Sequence, residues 1–241
     1  MVVVLVVVLL ERKLLGYFTQ RKGPNRVGLW GILQTIADAL KLLCKENITP
    51  NGVDRFLFNL APLLIFVPIP IALGLIPFSS EFTFMGFPTN ILLYVVLAAF
   101  PALSIMLAGW ASNNKYSLFG AMRNISQIIA YELPIAFTVL AIVCLASSMN
   151  LSQITIAQSS KCGILGWYMI PCCIGFVIMF ISILAELNRC PFDLPEAESE
   201  LICGYNTEYS GMRFAMFYLS EYSMLFANSL LIAVLFMGGF L

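Results

Sequence analysis

Long apolar runs are the feature that most constrains how this chain can fold. Only 11% of its 241 residues are charged, and 60% are hydrophobic. A helix needs about 20 consecutive apolar residues to cross the hydrocarbon core of a bilayer. Runs of that length recur along the sequence, so we predict an all-α polytopic membrane protein with one domain over residues 1–241.

The apolar runs predict about six transmembrane helices. They are expected at residues 1–18, 56–78, 91–111, 125–147, 164–187 and 212–241, so that spans two to five fill residues 56–187. The first run, Val2 to Leu10, is too short to cross a bilayer unless it extends to Phe18. Four prolines in the second span predict a kink there, because a proline removes a helical hydrogen bond.

The connection over residues 19–55 contains an expected amphipathic helix. Apolar residues recur at helical spacing from Leu29 to Leu43, and polar residues from Gln34 to Lys45 fall on another face. This pattern predicts a helix that lies in the membrane interface or packs over the spans.

Basic residues are distributed very unevenly between the two sides of the predicted membrane domain. Three connections carry twelve of the thirteen Lys and Arg residues: 11–55, 112–123 and 188–213. The opposite connections, 79–90 and 149–163, carry only Lys161. Because basic loops stay inside, this basic side is expected to face the cytoplasm or the mitochondrial matrix.

A long acidic loop, predicted over residues 188–211, lies on the same basic side. Its acids, together with Glu186 just before it, are Asp193, Glu196, Glu198, Glu200 and Glu208. Pro195 can begin a short helix and Gly204 can end it. An ordinary solvated acidic loop is the alternative interpretation.

Three acids are expected inside the membrane, in its basic-side half. Glu132 lies within span four, Glu221 within span six, and Glu186 at the end of span five. Charged groups at such depth are costly and usually functional. Neighbouring carboxylates cannot all ionise, so such a group exchanges protons readily. We expect protons to enter from the basic side and pass sideways to a partner, the alternative being neutral, hydrogen-bonded structural glutamates.

Several other functions are disfavoured by the residue inventory. The chain has no histidine, and its seven cysteines show no C-x-x-C spacing, so no metal or cluster is expected. No glycine-rich dinucleotide fingerprint follows a strand, so no flavin or nicotinamide site is expected. The zero net charge gives no indication of nucleic-acid binding.

Two blocks of sequence resemble the NADH dehydrogenase subunit 1 family, the quinone-pocket membrane subunit of respiratory complex I. The first, from Ala185 to Tyr209, has the pattern AE-x-NR-x-PFDL-x-E-x-ESEL-x-x-G-x-N-x-EY. The second, Glu11 to Glu46, begins ERKLLGYFTQRKGPNRVG. With the spans between them, the resemblance covers essentially the whole chain.

The resemblance implies a core subunit of a proton-pumping NADH:ubiquinone oxidoreductase, with ubiquinone as substrate and no metal or flavin on this chain. Eight acids match an acidic channel that leads from the quinone cavity to antiporter-like subunits: Glu132, Glu186, Asp193, Glu196, Glu198, Glu200, Glu208 and Glu221. Arg12, Arg21 and Asp38 match positions near the quinone cavity, and anchoring of a basic loop on the inner side is the alternative for the two arginines. Phe214 and Phe217, on the sixth span, are expected at its entrance. The implied partners are hydrophilic quinone-site subunits, antiporter-like membrane subunits and the bilayer.

The family has eight spans, so we expect a separate chain to supply two C-terminal spans, the alternatives being a fragment or a lineage that has lost them, and the first span looks clipped. The expected location is the mitochondrial inner membrane, with the bacterial plasma membrane as the alternative. Two other functions stay open: a membrane subunit of a related hydrogenase-type complex, and a stand-alone cation or proton transporter. A transporter would commonly show inverted internal repeats, and none is evident in the sequence.

Overall fold

The computed structural model describes residues 2–79, 82–159, 166–195 and 198–240, and every regular element in them is helical. In chain order the helices are α1 (Val2–Phe18), α2 (Gln34–Cys44), α3 (Arg55–Phe66), α4 (Pro68–Leu75), α5 (Asn90–Ala111), α6 (Lys115–Ala146), α7 (Leu151–Ser159), α8 (Cys173–Glu186), α9 (Glu198–Leu201) and α10 (Gly211–Phe236). The predicted all-α polytopic fold is confirmed.

Fewer helices than predicted can cross a membrane by themselves. Within the described ranges, four segments are long and apolar enough, against the six expected: Arg55–Leu75, α5, α6 and α10. Helix α1 has 17 residues and carries three charged ones. Helix α8 has 14 residues, about 21 Å at 1.5 Å per residue, which is short of the hydrocarbon core. Turns occupy residues 168–172, so α8 begins only at Cys173, and the predicted start of that span at Ile164 lies outside the described residues.

The second span is interrupted near its middle, but Val67 at the interruption keeps helical dihedral angles, so the kink there stays a prediction. The chain breaks into α3 and α4 at Val67, immediately before Pro68, which has no N–H to continue the ladder. Asp54 begins α3, and its Oδ1 accepts a hydrogen bond from the backbone N–H of Phe56 at 3.2 Å. Helix α4, which completes the second span, ends at Leu75, earlier than the predicted residue 78.

Helix α6 is the longest element, with 32 residues, and it begins ten residues before the predicted span. At 1.5 Å per residue it is about 48 Å long, against about 30 Å for the hydrocarbon core. Its first turns therefore extend beyond the core on the basic side. There Gly120 packs so closely on the acidic loop that a Cβ would lie 2.7 Å from the Cα of Gly204.

Helix α2 confirms the predicted amphipathic helix, preceded by a 3-10 turn at Leu29–Gly31. Its apolar side chains Ile36, Leu40 and Leu43 are exposed on the surface of this chain. An exposed apolar face of this kind suits a membrane interface or a partner surface, and its location at the interface stays a prediction.

The basic connections meet on one side of the bundle, as the sequence predicted. The backbone N–H of Asp54 donates to the carbonyl of Ala111 at 3.3 Å. The backbone N–H of Ile48 donates to Ser210 Oγ at 3.0 Å. The first connection therefore contacts both the α5–α6 turn and the end of the acidic loop.

A short helix that the sequence did not predict closes the opposite side. Helix α7 lies in the segment expected to be a connection, with Leu151 and Ile154 fully buried. Gln158 Nε2 donates to the carbonyls of Val234 and Leu235, both at 3.1 Å. Carbonyls in the last turn of a helix lack intrahelical partners, so Gln158 caps α10.

Two apolar clusters form the interior. The cluster toward the basic side contains Phe58, Ala61, Ile65, Ile105, Ala108, Ala111, Ala121, Ile128, Tyr205, Tyr209 and Phe217. The cluster toward the opposite side includes Ile69, Leu75, Ile91, Tyr94, Ile135, Ile142, Met179, Met224 and Phe236. On α6, Glu132 lies between Ile128 of the first cluster and Ile135 of the second. On α10, Glu221 lies between Phe217 and Met224 in the same way, so both carboxylates fall where the clusters meet.

Candidate functional site

Glu186 is the central residue of the candidate site. It is the last residue of α8, and its Oε2 accepts a hydrogen bond from Asn228 Nδ2 at 3.3 Å. Asn228 Oδ1 in turn accepts a hydrogen bond from the Tyr94 hydroxyl at 2.7 Å. Both supporting side chains are buried, with 1% of Tyr94 and 2% of Asn228 exposed.

A small cavity joins Glu186 to Glu132. Tyr94 and Asn228 also line it, and the rest of its wall is apolar, including Ile128 and Met179. Its volume of about 20 Å³ exceeds the roughly 10–15 Å³ that one water molecule requires. Glu132 and Glu186 therefore face a common space that a water molecule can occupy.

A second cavity joins Glu186 to Glu221. Its volume is about 40 Å³, and Ser220 and Leu187 contribute to its wall. Ala98, Ile128 and Glu186 line both cavities. The structure thus brings together, around two adjoining cavities, the three glutamates that were expected inside the membrane, with Glu186 in the middle.

Glu221 is connected to the acidic loop through Tyr205. The Tyr205 hydroxyl donates to Glu221 Oε1 at 3.0 Å. The Tyr205 ring is fully buried and packs edge-to-face on Phe217, with 5.5 Å between ring centroids. Ser117 Oγ of α6 donates to the Tyr205 carbonyl at 3.1 Å, which fixes this turn of the loop against the bundle.

The other acids of the loop lie farther out. Glu208 Oε1 accepts from Asn114 Nδ2 at 2.6 Å at the start of α6. Glu200 forms an exposed ion pair with Arg123 at 2.7 Å, and Asp193 is exposed. The structure does not gather these acids at the two cavities.

The short helix in the loop differs from the prediction. Glu196 and the side chain of Glu198 lie outside the described part of the chain. Helix α9 ends at Leu201, earlier than the predicted Gly204, and Ile202 follows with a φ of 66°. Gly204 instead begins a 3-10 turn, and its lack of a side chain permits the contact with α6.

Arg189 ties the loop to α1 and α10. Its Nη1 lies 2.6 Å from Glu11 Oε1, and its guanidinium carbon lies 4.8 Å from the centre of the Tyr222 ring. Burial disfavours the charge, but the hydrogen bond with Tyr222 and the negative charge of Glu11 outweigh burial and raise the pKa of Arg189. Arg189 therefore stays positively charged close to Glu11 and Glu221.

The residues expected near a quinone fall into two places. Arg12 Nη1 forms an ion pair with Asp38 Oδ2 at 2.5 Å, and Gln34 Nε2 donates to Asp38 Oδ1 at 3.1 Å. This contact joins α1 to α2. Arg21 lies apart from it, exposed on the connection beside Lys22.

The two phenylalanines of α10 have different environments. Phe214 is half-buried and packs on Tyr218, with ring centroids 4.6 Å apart. Phe217 is fully buried between the rings of Tyr205 and Tyr209. Phe217 therefore packs in the interior, and the role of either residue at a quinone entrance stays a prediction.

Sequence reasoning missed the polar partners of the glutamates. Tyr94, Asn228 and Tyr205 were not singled out, although each is a buried polar residue in contact with the site. Asn228 carried a usable signal, because an amide inside an apolar run is costly unless it has a partner. Gln127 carries the same signal, and its Nε2 donates to the carbonyls of Ala185 and Phe192 at 2.7 and 2.8 Å.

Within the described ranges, no three His, Cys, Asp or Glu side chains are grouped so that they could hold a metal ion. Fold and site together define a multi-pass helical membrane protein with half-buried carboxylic acids between its helices. The profile of the NADH dehydrogenase family matches residues 1–241. The chain belongs to that family.

Curated relatives agree with this assignment. The H subunit of the NADH-quinone oxidoreductase of Bacillus mycoides is 49% identical over 233 residues, which is 96% of this chain and 68% of that protein. The Bacillus thuringiensis and Bacillus cytotoxicus proteins of the same name are 49% and 48% identical over the same lengths. These relatives are bacterial, so the expected mitochondrial location is not supported. The expected separate chain for further spans stays a prediction.

Proposed function

We propose that this chain is a core membrane subunit of a proton-translocating NADH:quinone oxidoreductase in a bacterial plasma membrane. In this proposal it forms part of the quinone cavity and carries protons along Glu132, Glu186 and Glu221. The other subunits of the oxidoreductase are its partners. Family membership and the names of the relatives support the enzyme class.

One observation carries the proton route: Glu186 lines the cavity of Glu132 and also the cavity of Glu221. Carboxyl groups that share a water-sized space in an apolar surrounding cannot all be ionised. A proton that reaches one glutamate can therefore pass to the next through a water molecule or a rotation of the side chain. Tyr205 connects this chain of acids to the loop on the basic side.

The quinone side of the proposal rests on α1 and α2. The pair of Arg12 and Asp38 holds these helices together, and α2 presents an apolar face outward. A lipid-borne quinone would approach along such a face. Arg189 pairs with Glu11 of α1 and also interacts electrostatically with Glu221, so a change of charge near α1 would act on Glu221 through Arg189.

The test replaces each central acid with glutamine in the assembled oxidoreductase: Glu132→Gln, Glu186→Gln and Glu221→Gln. Glutamine keeps the shape but cannot release a proton. We expect normal assembly, with NADH-driven proton translocation reduced by about 100-fold where proton transfer limits turnover. Translocation is measured with a pH-sensitive dye in membrane vesicles.

Glu46→Gln is the matched control, because Glu46 is an exposed acid on the basic side. It should behave like the unmodified protein. Coupled turnover in all three test variants equal to that of Glu46→Gln would show that these acids do not carry the protons.

A further inference from the structure

Tyr94 and Asn228 form a buried hydrogen-bonded pair that ends on Glu186. Tyr94 comes from the first turns of α5, and Asn228 from the second half of α10. The two residues are 134 positions apart in the sequence and meet at 2.7 Å. Buried polar groups of this kind are costly unless each finds a partner.

The geometry fixes the orientation of the Asn228 amide. With the phenol donating to Oδ1, the N–H of Nδ2 is left facing Glu186 Oε2 at 3.3 Å. If the amide turned over, the buried Tyr94 hydroxyl would lose its acceptor, and the amide oxygen would face an ionised Glu186 with no donor between them. The phenol therefore keeps a donor, rather than an acceptor, beside Glu186.

We propose that Tyr94 and Asn228 are positioning residues that hold an N–H donor on Glu186 and thereby set how readily this glutamate gives up its proton. The inference rests on the proposed proton route and deepens it. A hydrogen bond to a carboxylate favours the charged form. Glu186 lines both cavities, so control of its proton affects transfer to Glu132 and transfer to Glu221 alike.

Other titratable groups also face Glu186. Glu132 from α6 shares the first cavity and Glu221 from α10 shares the second. Both are acids, so their charge opposes ionisation of Glu186. The Asn228 donor acts in the opposite sense, and Tyr94 acts only by holding that donor.

The test uses Tyr94→Phe, which removes the hydroxyl and keeps the ring. We expect the pH profile of coupled proton translocation in the assembled oxidoreductase to move to higher pH by about one unit, a tenfold change in proton affinity. Asn228→Leu removes the donor itself and should shift the profile at least as far. The double variant should shift no further than Asn228→Leu, because Tyr94 acts through Asn228.

Thr138→Val is the matched control. Thr138 is buried nearby, and its hydroxyl bonds to the Ile135 carbonyl and to Met179 Sδ, not to a carboxylate. Its pH profile should not move. A Tyr94→Phe profile that superimposes on that of Thr138→Val overturns the inference, and if Tyr94→Phe does not assemble, an unshifted Asn228→Leu profile overturns it equally.

The two proposals fail in different ways. If Glu186→Gln loses translocation while the pH profiles of Tyr94→Phe and Asn228→Leu do not shift, this inference fails and the proton route stands. Normal translocation in Glu186→Gln would remove the proton route itself.

Discussion

The contact between Gly120 and Gly204 permits a sharp test of how the acidic loop is held. A Cβ on Gly120 would lie 2.7 Å from the Cα, 2.9 Å from the carbonyl carbon of Gly204 and 3.0 Å from the Tyr205 nitrogen. Real Cβ atoms do not approach backbone atoms so closely, and backbone cannot rotate away as a side chain can. Gly120→Ala should therefore push the 3-10 turn off α6 and move the Tyr205 hydroxyl away from Glu221.

The steric cost of Gly120→Ala is measured against a paired control, Gly175→Ala. A Cβ on Gly175 would meet its nearest neighbour at 3.7 Å, which is ordinary van der Waals contact. Both glycines are in helices, so the gain in helix propensity of about 1 kcal/mol from alanine largely cancels between the two variants. The remaining difference is the steric cost, about 1–3 kcal/mol for overpacking.

Hydrogen–deuterium exchange of the assembled oxidoreductase measures this difference at the loop. The backbone N–H groups of Asn206 and Tyr209 are hydrogen-bonded within the turn, at 3.2 and 3.1 Å. A cost of 1–3 kcal/mol makes local opening more frequent, so exchange over residues 198–209 should be about 5- to 150-fold faster in Gly120→Ala. Exchange in Gly175→Ala should match that of the unmodified protein.

Equal exchange in the two alanine variants would refute the reasoning. It would mean that the loop does not rest on α6 at Gly120, and that Tyr205 is not held at Glu221 by this contact.

Two further predictions concern the partners of the acids. Tyr205→Phe removes the hydroxyl 3.0 Å from Glu221, so coupled turnover per assembled complex should fall about tenfold. Tyr116→Phe, an exposed hydroxyl deletion, is its control, and equal turnover in both would contradict the role of Tyr205. The half-buried pair of Glu11 and Arg189 should give a coupling energy of about 0.5–1 kcal/mol in a double-mutant cycle with glutamine at each position, measured by thermal unfolding of the complex. Additive effects of the two changes would show that the pair contributes nothing.

Much of the fold was predictable because its signals are local. Helices α5, α6 and α10 follow from apolar runs, and the break before Pro68 follows from a missing N–H. The grouping of basic connections follows from Lys and Arg content alone. The failures were also local in origin. Helix α7 was missed because a nine-residue helix with polar residues resembles a connection. Helix α8 was predicted to be too long because the turn before Cys173 is itself apolar.

The candidate site was only half predictable. The depth of Glu132 and Glu221 could be read from their positions within apolar runs, and the end of span five marked Glu186. Their hydrogen-bond partners could not be read in this way. Glu186 meets Asn228 across 42 residues, and Glu208 meets Asn114 across 94.

The amino-acid sequence alone determined that this chain enters a membrane repeatedly, which connections collect its basic residues, and which acids fall within or at the end of apolar runs. These properties depend on the free energy of transferring each segment from water to lipid. That free energy is a sum of contributions from consecutive residues. Tertiary structure decided that Glu186 lines two cavities and that Tyr94, Asn228 and Tyr205 surround the glutamates. Those contacts depend on which helix faces pack together, and packing joins residues far apart in the chain.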